Sequence, residues 1–271
     1  MVHSSFNQLS RLTKAASIAL PLACLAAPGQ AADLPPRSAQ FPARVEQLKA
    51  HIERVDRQAE QLRAPEFPAG KDWFNSPPLT FDKQLAGKIT VLDFWTYCCI
   101  NCIHILPDLA ELEERYAGFP VAFVGVHSAK FDNEKVSENI RDAVLRYEIA
   151  HPVVNDDTMH MWQRIGVRSW PSMAVVGPKG NLMLMVSGEG NKELIDACIT
   201  AALAFHPKDI FRHDPIPMSP EKDKLRIDSP LRYPGKLAID TEGGRLFISD
   251  SSHHRIVVTD LDGNFIETIG S

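Results

Sequence analysis

This sequence lacks basic clusters and apolar runs of membrane length, and it has only two cysteines, Cys24 and Cys198, outside one short cluster. Its 29 Lys and Arg against 34 Asp and Glu give a net charge of -5, and no basic stripe forms, so nucleic-acid binding has no electrostatic support. Of the five cysteines, Cys98, Cys99 and Cys102 lie close together, which excludes a disulfide framework that staples the whole chain. The 271 residues suffice for one large domain or two ordinary ones.

Residues 1–32 are typical of an export signal. Arg11 and Lys14 precede an uncharged Ala/Leu-rich run over residues 15–27, which is too short for a membrane span. Small residues at 29–31 then suit a signal peptidase. We expect a cleaved signal peptide, a periplasmic or secreted location and no membrane span in the mature chain. A misassigned start, which would leave the protein cytoplasmic, is the alternative.

Residues 42–63 place apolar side chains at alternating spacings of three and four, which predicts an amphipathic helix. The stripe consists of Val45, Leu48, Ile52, Val55, Ala59 and Leu62. We expect this stripe to pack on the neighbouring domain. A dimerisation zipper is the alternative.

A mixed α/β domain is predicted over residues 72–205. The apolar, β-branched residues 89–95 predict a buried strand, and the apolar positions after Cys102 have the spacing of a helix. Further elements follow in the order βα, βα and ββα. This order favours a mixed β-sheet flanked by helices.

The C-terminal part has a different pattern. Residues 206–233 are rich in proline and charge and lack periodicity, which predicts a linker. Four short strands separated by turn residues follow within residues 234–271. Four such strands make one propeller blade, which cannot bury both of its faces alone. We therefore expect an incomplete β-propeller blade from the front of a longer protein; packing of these strands on the first domain is the alternative.

The pair Cys99 and Cys102 lies where the predicted strand meets a helix N-terminus. Backbone N–H groups there favour thiolate over thiol, so Cys99 is expected to be the exposed attacking sulfur. Cys102, one turn further, can resolve the mixed disulfide. Asp93 on the buried strand should be hard to ionise and can relay the proton of Cys102. A structural acid that is paired in the core is the alternative.

These residues resemble the thioredoxin family at the family's own spacings. The matching motifs are Asp93-Phe94-Trp95, Cys99-x-x-Cys102, Pro107 and Trp170-Pro171. Residues 94–104 and 125–131 further resemble the thioredoxin-like part of the NHL repeat-containing protein 2 family, including its bacterial relatives. Residues 234–240 and 248–256 resemble a first NHL repeat, as at the start of an NHL β-propeller.

The resemblance implies a thioredoxin-like fold and a thiol–disulfide oxidoreductase whose redox group is the Cys99–Cys102 disulfide, with no other cofactor and no metal. It also implies a cis bond before Pro171. The expected partners are a disulfide-containing protein or small molecule, a thiol reductant and a protein bound by the propeller. The residues expected to contact substrate are Trp170, Tyr97, Ile100 and Asn101.

Two departures from ordinary thioredoxins leave alternatives open. Cys98 stands where thioredoxins usually carry Trp, and Ile100-Asn101 replaces Gly-Pro, so the redox potential is not transferable. We interpret Cys98 as an inward-pointing core thiol; exchange with Cys99 or metal binding are the alternatives. A metal chaperone would combine the dithiol with His104, His127 or His160. A non-catalytic protein, whose propeller binds partners while the thioredoxin-like domain serves as a platform, is the other candidate.

Overall fold

The computed structural model describes residues 34–224, 230–253 and 255–270. The expected signal peptide at residues 1–32 lies outside these ranges. The described strands form one six-stranded sheet and one four-stranded sheet. Across these described ranges, no helix combines the length and the hydropathy needed to cross a membrane.

The first sheet contains the strands β1 (Trp73–Phe74), β2 (Ile89–Trp95), β3 (Val121–His127), β4 (Val153–Asn155), β5 (Ser172–Val176) and β6 (Leu182–Ser187). Their order is β1-β4-β3-β2-β5-β6. The central strand β2 runs parallel to β3 and antiparallel to β5, so the sheet is mixed. Every residue of β2 is buried, as its continuous apolar run predicts for a strand covered on both faces.

The helices are α1 (Phe41–Asp56), α2 (Ile100–Arg115), α3 (Ser137–Arg146), α4 (His160–Ile165), α5 (Lys192–Phe205) and the short α6 (Glu221–Lys224). On one face of the sheet, Ile89 and Val91 pack with residues of α1, α2 and α5. On the other face, Leu92 and Phe94 pack with residues of α4. Because alternate residues of a strand point to opposite faces, Asp93 points towards α2. The predicted fold class is confirmed.

The first helix ends at Asp56 rather than at residue 63. Its buried residues pack with those of α5 within the chain, as expected for the stripe; they are Phe41, Val45, Leu48 and Ile52. Beyond Asp56 the chain leaves the helix, because the carbonyl of Leu62 accepts a backbone hydrogen bond of 2.8 Å from Leu182. This pairing with the β5–β6 hairpin competes with further helical turns.

The predicted linker, residues 206–233, packs on the domain over residues 206–224. Lys88 is buried, and its Nζ donates hydrogen bonds of 2.7 Å and 2.6 Å to the carbonyls of Arg212 and Asp214. The Glu221 N–H donates to Asn75 Oδ1 at 2.9 Å. The linker prediction is therefore wrong for this part. The segment is held by backbone carbonyls that accept hydrogen bonds from a buried lysine, and such contacts leave no periodic pattern in the sequence.

The second sheet consists of β7 (Pro234–Asp240), β8 (Arg245–Asp250), β9 (Arg255–Asp260) and β10 (Phe265–Gly270), all antiparallel, in sequential order. Val257 and Val258 in β9 are buried, whereas large apolar side chains of β7 and β10 are exposed. Four sequential antiparallel strands are the arrangement of a single propeller blade.

Candidate active site

The dithiol occupies the start of α2. Cys99 is the N-cap residue, with extended backbone, and the Cys102 N–H donates to its Sγ at a distance of 3.4 Å. Cys99 is half-buried, Cys102 is completely buried, and both carry free thiols. One sulfur is therefore open to an incoming disulfide, and the other lies one helical turn inside.

Cys102 is held in the thiol form. Burial raises the pKa of the Cys102 thiol far above its usual range, and the contact with Cys99 and the charge of Asp93 raise it further. A backbone hydrogen bond at Thr96 opposes these effects. Cys102 must therefore lose a proton before it can attack a disulfide.

Asp93 lies on the α2 side of β2 and is only 2% exposed. Neither of its carboxyl oxygens has a hydrogen-bond partner among the described residues. Burial raises the pKa of Asp93 from 3.8 to about 7, while the charge of His151 lowers it and the charge of Glu113 raises it. An acid with a pKa near neutrality can both accept and release the proton of Cys102. The alternative of an acid paired in the core does not describe this carboxyl.

A second buried carboxylate, Glu134, supports the loop before the dithiol. Its Oε1 accepts from Thr96 Oγ1 at 2.6 Å and from the Cys98 N–H at 3.3 Å. Its Oε2 accepts from the N–H groups of Lys130 and Phe131 at 2.6 Å and 2.7 Å. Burial alone would raise the pKa of Glu134, but these hydrogen bonds lower it. Sequence reasoning missed Glu134, because in the sequence it is one of several charged residues in a polar segment.

Cys98 is exposed, so its interpretation as an inward-pointing core thiol is wrong. The side chains of Thr96 and Glu134 are the buried ones here, and the backbone leads to the surface after Thr96. Loss of water on its protein side, together with the hydrogen bond to Glu134 and its charge, raises the pKa of Cys98 to about 11. Since thiolate is the reactive form, Cys98 is accessible but poorly nucleophilic at neutral pH.

The three histidines considered as metal ligands do not gather at the dithiol. His127 is buried beneath Tyr97, with ring centroids 5.4 Å apart, and its Nε2 accepts from the Tyr97 N–H at 3.4 Å. Burial lowers the pKa of His127 to about 4, so it is a neutral acceptor. His104 instead lies 3.4 Å from Glu189, and His160 begins α4. Over the described ranges, no group of three or more His, Cys, Asp or Glu side chains could hold a metal ion.

The expected substrate face surrounds Cys99. The Trp170–Pro171 bond is cis, as the resemblance implies. Trp170 donates from Nε1 to the Ser128 carbonyl at 3.0 Å, and it packs with Cys99 and Tyr97 against one hydrophobic cluster. Two large apolar side chains near Cys99 are exposed: Ile100 at the start of α2, and Phe131 on the loop that Glu134 joins to Cys98. Asn101 is exposed in the first turn of α2.

Comparisons with known proteins agree with these features. A family model described as thioredoxin-like matches residues 87–182, and a model of the NHL repeat matches residues 231–258. Over 210 residues the chain is 51% identical to Protein SUPPRESSOR OF QUENCHING 1, chloroplastic, of Arabidopsis thaliana, covering 76% of this chain and 20% of that protein. Over 219 residues it is 46% identical to NHL repeat-containing protein 2 of Bos taurus, covering 80% of this chain and 30% of the relative.

A shorter relative matches about half of this chain. The chain is 21% identical over 140 residues to the thiol-disulfide oxidoreductase YkuV of Bacillus subtilis, which covers 52% of this chain and 93% of that protein. By contrast, the chain spans less than a third of the length of the two more similar relatives. The chain therefore carries a thioredoxin-like domain and an NHL repeat, and NHL repeat-containing protein 2 and SUPPRESSOR OF QUENCHING 1 are its homologues.

Proposed function

We propose that the chain is a thiol–disulfide oxidoreductase that acts through Cys99 and Cys102. The observation that carries this proposal is the arrangement of the two sulfurs. Cys99 is accessible at the N-cap of α2, and the buried Cys102 donates its N–H to the Cys99 sulfur at 3.4 Å. The Asp93 carboxyl, which has no hydrogen-bond partner among the described residues, interacts with Cys102 and supplies a proton acceptor.

The reaction proceeds in two exchanges. The Cys99 thiolate attacks one sulfur of the substrate disulfide, which forms a mixed disulfide and releases the first substrate thiolate. Cys102 then gives its proton to Asp93 and attacks the Cys99 sulfur. This step forms the Cys99–Cys102 disulfide, breaks the mixed disulfide and releases the second substrate thiolate. Two electrons pass from the dithiol to the substrate, and a thiol reductant restores the dithiol.

The surface around Cys99 favours protein disulfides flanked by apolar residues. Ile100 is 60% exposed directly beside Cys99, and Phe131 is 55% exposed on the loop that Glu134 joins to residues 96–98. Exposed apolar side chains beside a reactive group gain from contact with an apolar partner. We therefore propose that Ile100, Tyr97 and Trp170 contact the chain that carries the substrate disulfide.

Reduction of insulin disulfides with dithiothreitol as reductant tests the proposal. The Cys99→Ser variant should lose the activity, and Cys102→Ser should accumulate mixed disulfides that gel electrophoresis without reductant detects. Cys98→Ser is the matched control, because it removes a neighbouring exposed thiol and should keep most of the activity. Full activity in Cys99→Ser would refute the proposal.

A second candidate is an interaction protein in which the thioredoxin-like domain serves as a platform. The NHL repeat and the exposed apolar side chains of β7 and β10 favour it; Leu237, Ile239 and Phe265 are each more than 60% exposed. Equilibration of the protein with glutathione buffers of graded potential distinguishes the two candidates. An oxidised dithiol that no physiological thiol can reduce would favour the platform.

The compartment decides which reductant is available. We propose export, on the sequence of residues 1–32. In that case cytosolic thioredoxin reductase cannot be the direct partner. Mass spectrometry of the N-terminus of the protein purified from its source tests this, because export predicts removal of the leader and a cytoplasmic protein retains it.

A further inference from the structure

Several buried polar atoms without hydrogen-bond partners among the described residues lie close to Asp93 and to the Cα of Gly125. Gly125 is the register partner of Asp93 on the adjacent strand β3. A Cβ placed on Gly125 would lie 3.0 Å from Trp95 Nε1 and 3.2 Å from His151 Nε2. Neither of these nitrogens, nor either oxygen of Asp93, has a hydrogen-bond partner among the described residues. Because buried polar atoms nearly always have partners, this group is an exception that requires a role.

The other side of the His151 ring leads outward. Its Nδ1 lies 2.7 Å from Oε1 of Glu113 on α2. The His151 side chain is 5% exposed and that of Glu113 is 23% exposed. Both residues line a cleft of about 370 Å³ that also exposes Leu106 and Pro107 of the dithiol helix. The pair therefore connects the polar group above Gly125 to a cleft on the protein surface.

We propose that His151 and Glu113 form a proton relay that connects Asp93, and through it Cys102, to solvent in this cleft. The relay rests on the proposed function, because it serves the second exchange of that reaction. His151 and Glu113 act through Asp93 and are positioning residues, since neither touches the exchanging sulfurs. Within the described part of the chain, Asp93 has no hydrogen-bond partner through which it could otherwise pass a proton from the interior to water.

The proton balance is simple. Cys102 loses its proton to the Asp93 carboxylate, and the electron pair stays on sulfur and forms the bond to Cys99. Because no hydrogen bond joins Asp93 to His151 directly, Asp93 then passes the proton through a bridging water to Nε2 of the neutral His151 ring. The imidazolium releases the Nδ1 proton to Glu113, which passes it to water in the cleft. One proton leaves the interior for each resolved mixed disulfide, and reduction of the protein reverses the path.

Charges around His151 support transfer in this direction. Asp93 faces it from β2 and Glu113 faces it from α2, where Cys102 also lies. Burial lowers the pKa of His151, but the charge of Glu113, its hydrogen bond and the charge of Asp93 together raise it. The imidazolium in turn lowers the pKa of Asp93. Removal of His151 should therefore move the pH dependence of the second exchange to higher pH.

Stopped-flow reaction of the reduced protein with 5,5'-dithiobis(2-nitrobenzoate) separates the two exchanges. Attack by Cys99 releases one nitrothiobenzoate, and attack by Cys102 releases a second. A Cys24→Ser, Cys98→Ser background leaves the dithiol and the buried Cys198. In this background, His151→Gln retains a donor towards Glu113 but cannot relay a proton. We expect the second phase to slow about tenfold at neutral pH, the first phase to stay unchanged and the pH midpoint of the second phase to rise.

Two further variants make the result decisive. Glu113→Gln acts at the half-buried end of the relay and should also slow the second phase, so it tests the relay if His151→Gln fails to fold. His206→Gln is the matched control, because His206 is a buried histidine beside Asp56 and away from the dithiol. An unchanged second phase in Glu113→Gln, or equal slowing of both phases in His151→Gln, would overturn the relay. Failure of the proposed function has a different signature, which is the release of only one nitrothiobenzoate by the background protein itself.

Discussion

Replacement of Asp93 by Asn should stabilise the protein at alkaline pH. The two side chains have nearly the same shape, so the change mainly removes a titrating carboxyl. Asp93 is fully enclosed, and its oxygens lack partners within the described chain. An ionised carboxylate in such a place costs free energy, whereas a neutral amide costs less. The variant therefore isolates the cost of ionising Asp93.

The sign and size follow from its pKa, which is 3.8 in the unfolded chain and about 7 in the folded protein. Between these values the folded state holds a proton that the unfolded state has lost. The wild-type free energy of unfolding therefore falls as pH rises through this range. Each unit corresponds to about 1.36 kcal/mol. Between about pH 5 and about pH 8, the two units up to the folded pKa amount to about 3 kcal/mol.

Urea unfolding of both reduced proteins at these two pH values measures the effect. The difference in free energy of unfolding between Asp93→Asn and wild type should grow by about 3 kcal/mol from the lower to the higher pH. Comparing two pH values removes any constant packing effect of the amide. Asp132→Asn is the control, because Asp132 is exposed and its pKa is lowered, so its difference should not vary in this range. A difference for Asp93→Asn that stays constant with pH would refute the reasoning.

Three further predictions concern the loop before the dithiol, the neighbouring strand β3 and the first helix. Glu134→Gln should lower the free energy of unfolding by about 2 kcal/mol, because it weakens four hydrogen bonds to a buried carboxylate. The same variant should lower the pKa of Cys98, which the pH dependence of Cys98 alkylation measures. Gly125→Ala should cost about 2 kcal/mol in urea unfolding and slow the second exchange, because its Cβ would lie 3.0 Å from Trp95 Nε1. Ile52→Ala should cost about 3 kcal/mol by leaving a cavity beside α5, with no change of oligomeric state in gel filtration; dissociation of a dimer would instead indicate a zipper.

Local pattern was enough to predict the central elements of the site. Residues 89–95 form a strand that is buried on both faces, and a continuous apolar run predicts such a strand. The residues after Cys102 form α2, which is buried on one face, and apolar residues at helical spacing predict such a helix. The same reasoning placed Asp93 on the strand and Cys99 at the helix N-terminus. These predictions depend only on neighbours within the sequence.

The remaining features depend on residues that are far apart in the chain. The end of α1 is decided by hairpin pairing with Leu182, and the path of residues 206–224 by the buried Lys88. Cys98 faces outward because Glu134, on another loop, ties down the backbone beside it. No spacing rule links His151 to Glu113, which are 38 positions apart. Tertiary contacts of this kind leave no periodic signal in the sequence.

In the proposed reaction, the two buried carboxyls explain why Cys99 is the nucleophile among three neighbouring thiols. Glu134 is kept ionised by four donors, and its charge helps to hold the proton on the exposed Cys98. Asp93 accepts no hydrogen bond from the residues that the structure describes, and its charge, added to burial, helps to hold the proton on Cys102. Cys99, the accessible N-cap of α2, is then the thiol that can begin the exchange. Of these two acids, Asp93 has the pKa of about 7, so it can accept the proton of Cys102 when the second exchange requires it. The order of the two exchanges thus follows from the opposite hydrogen bonding of two acids.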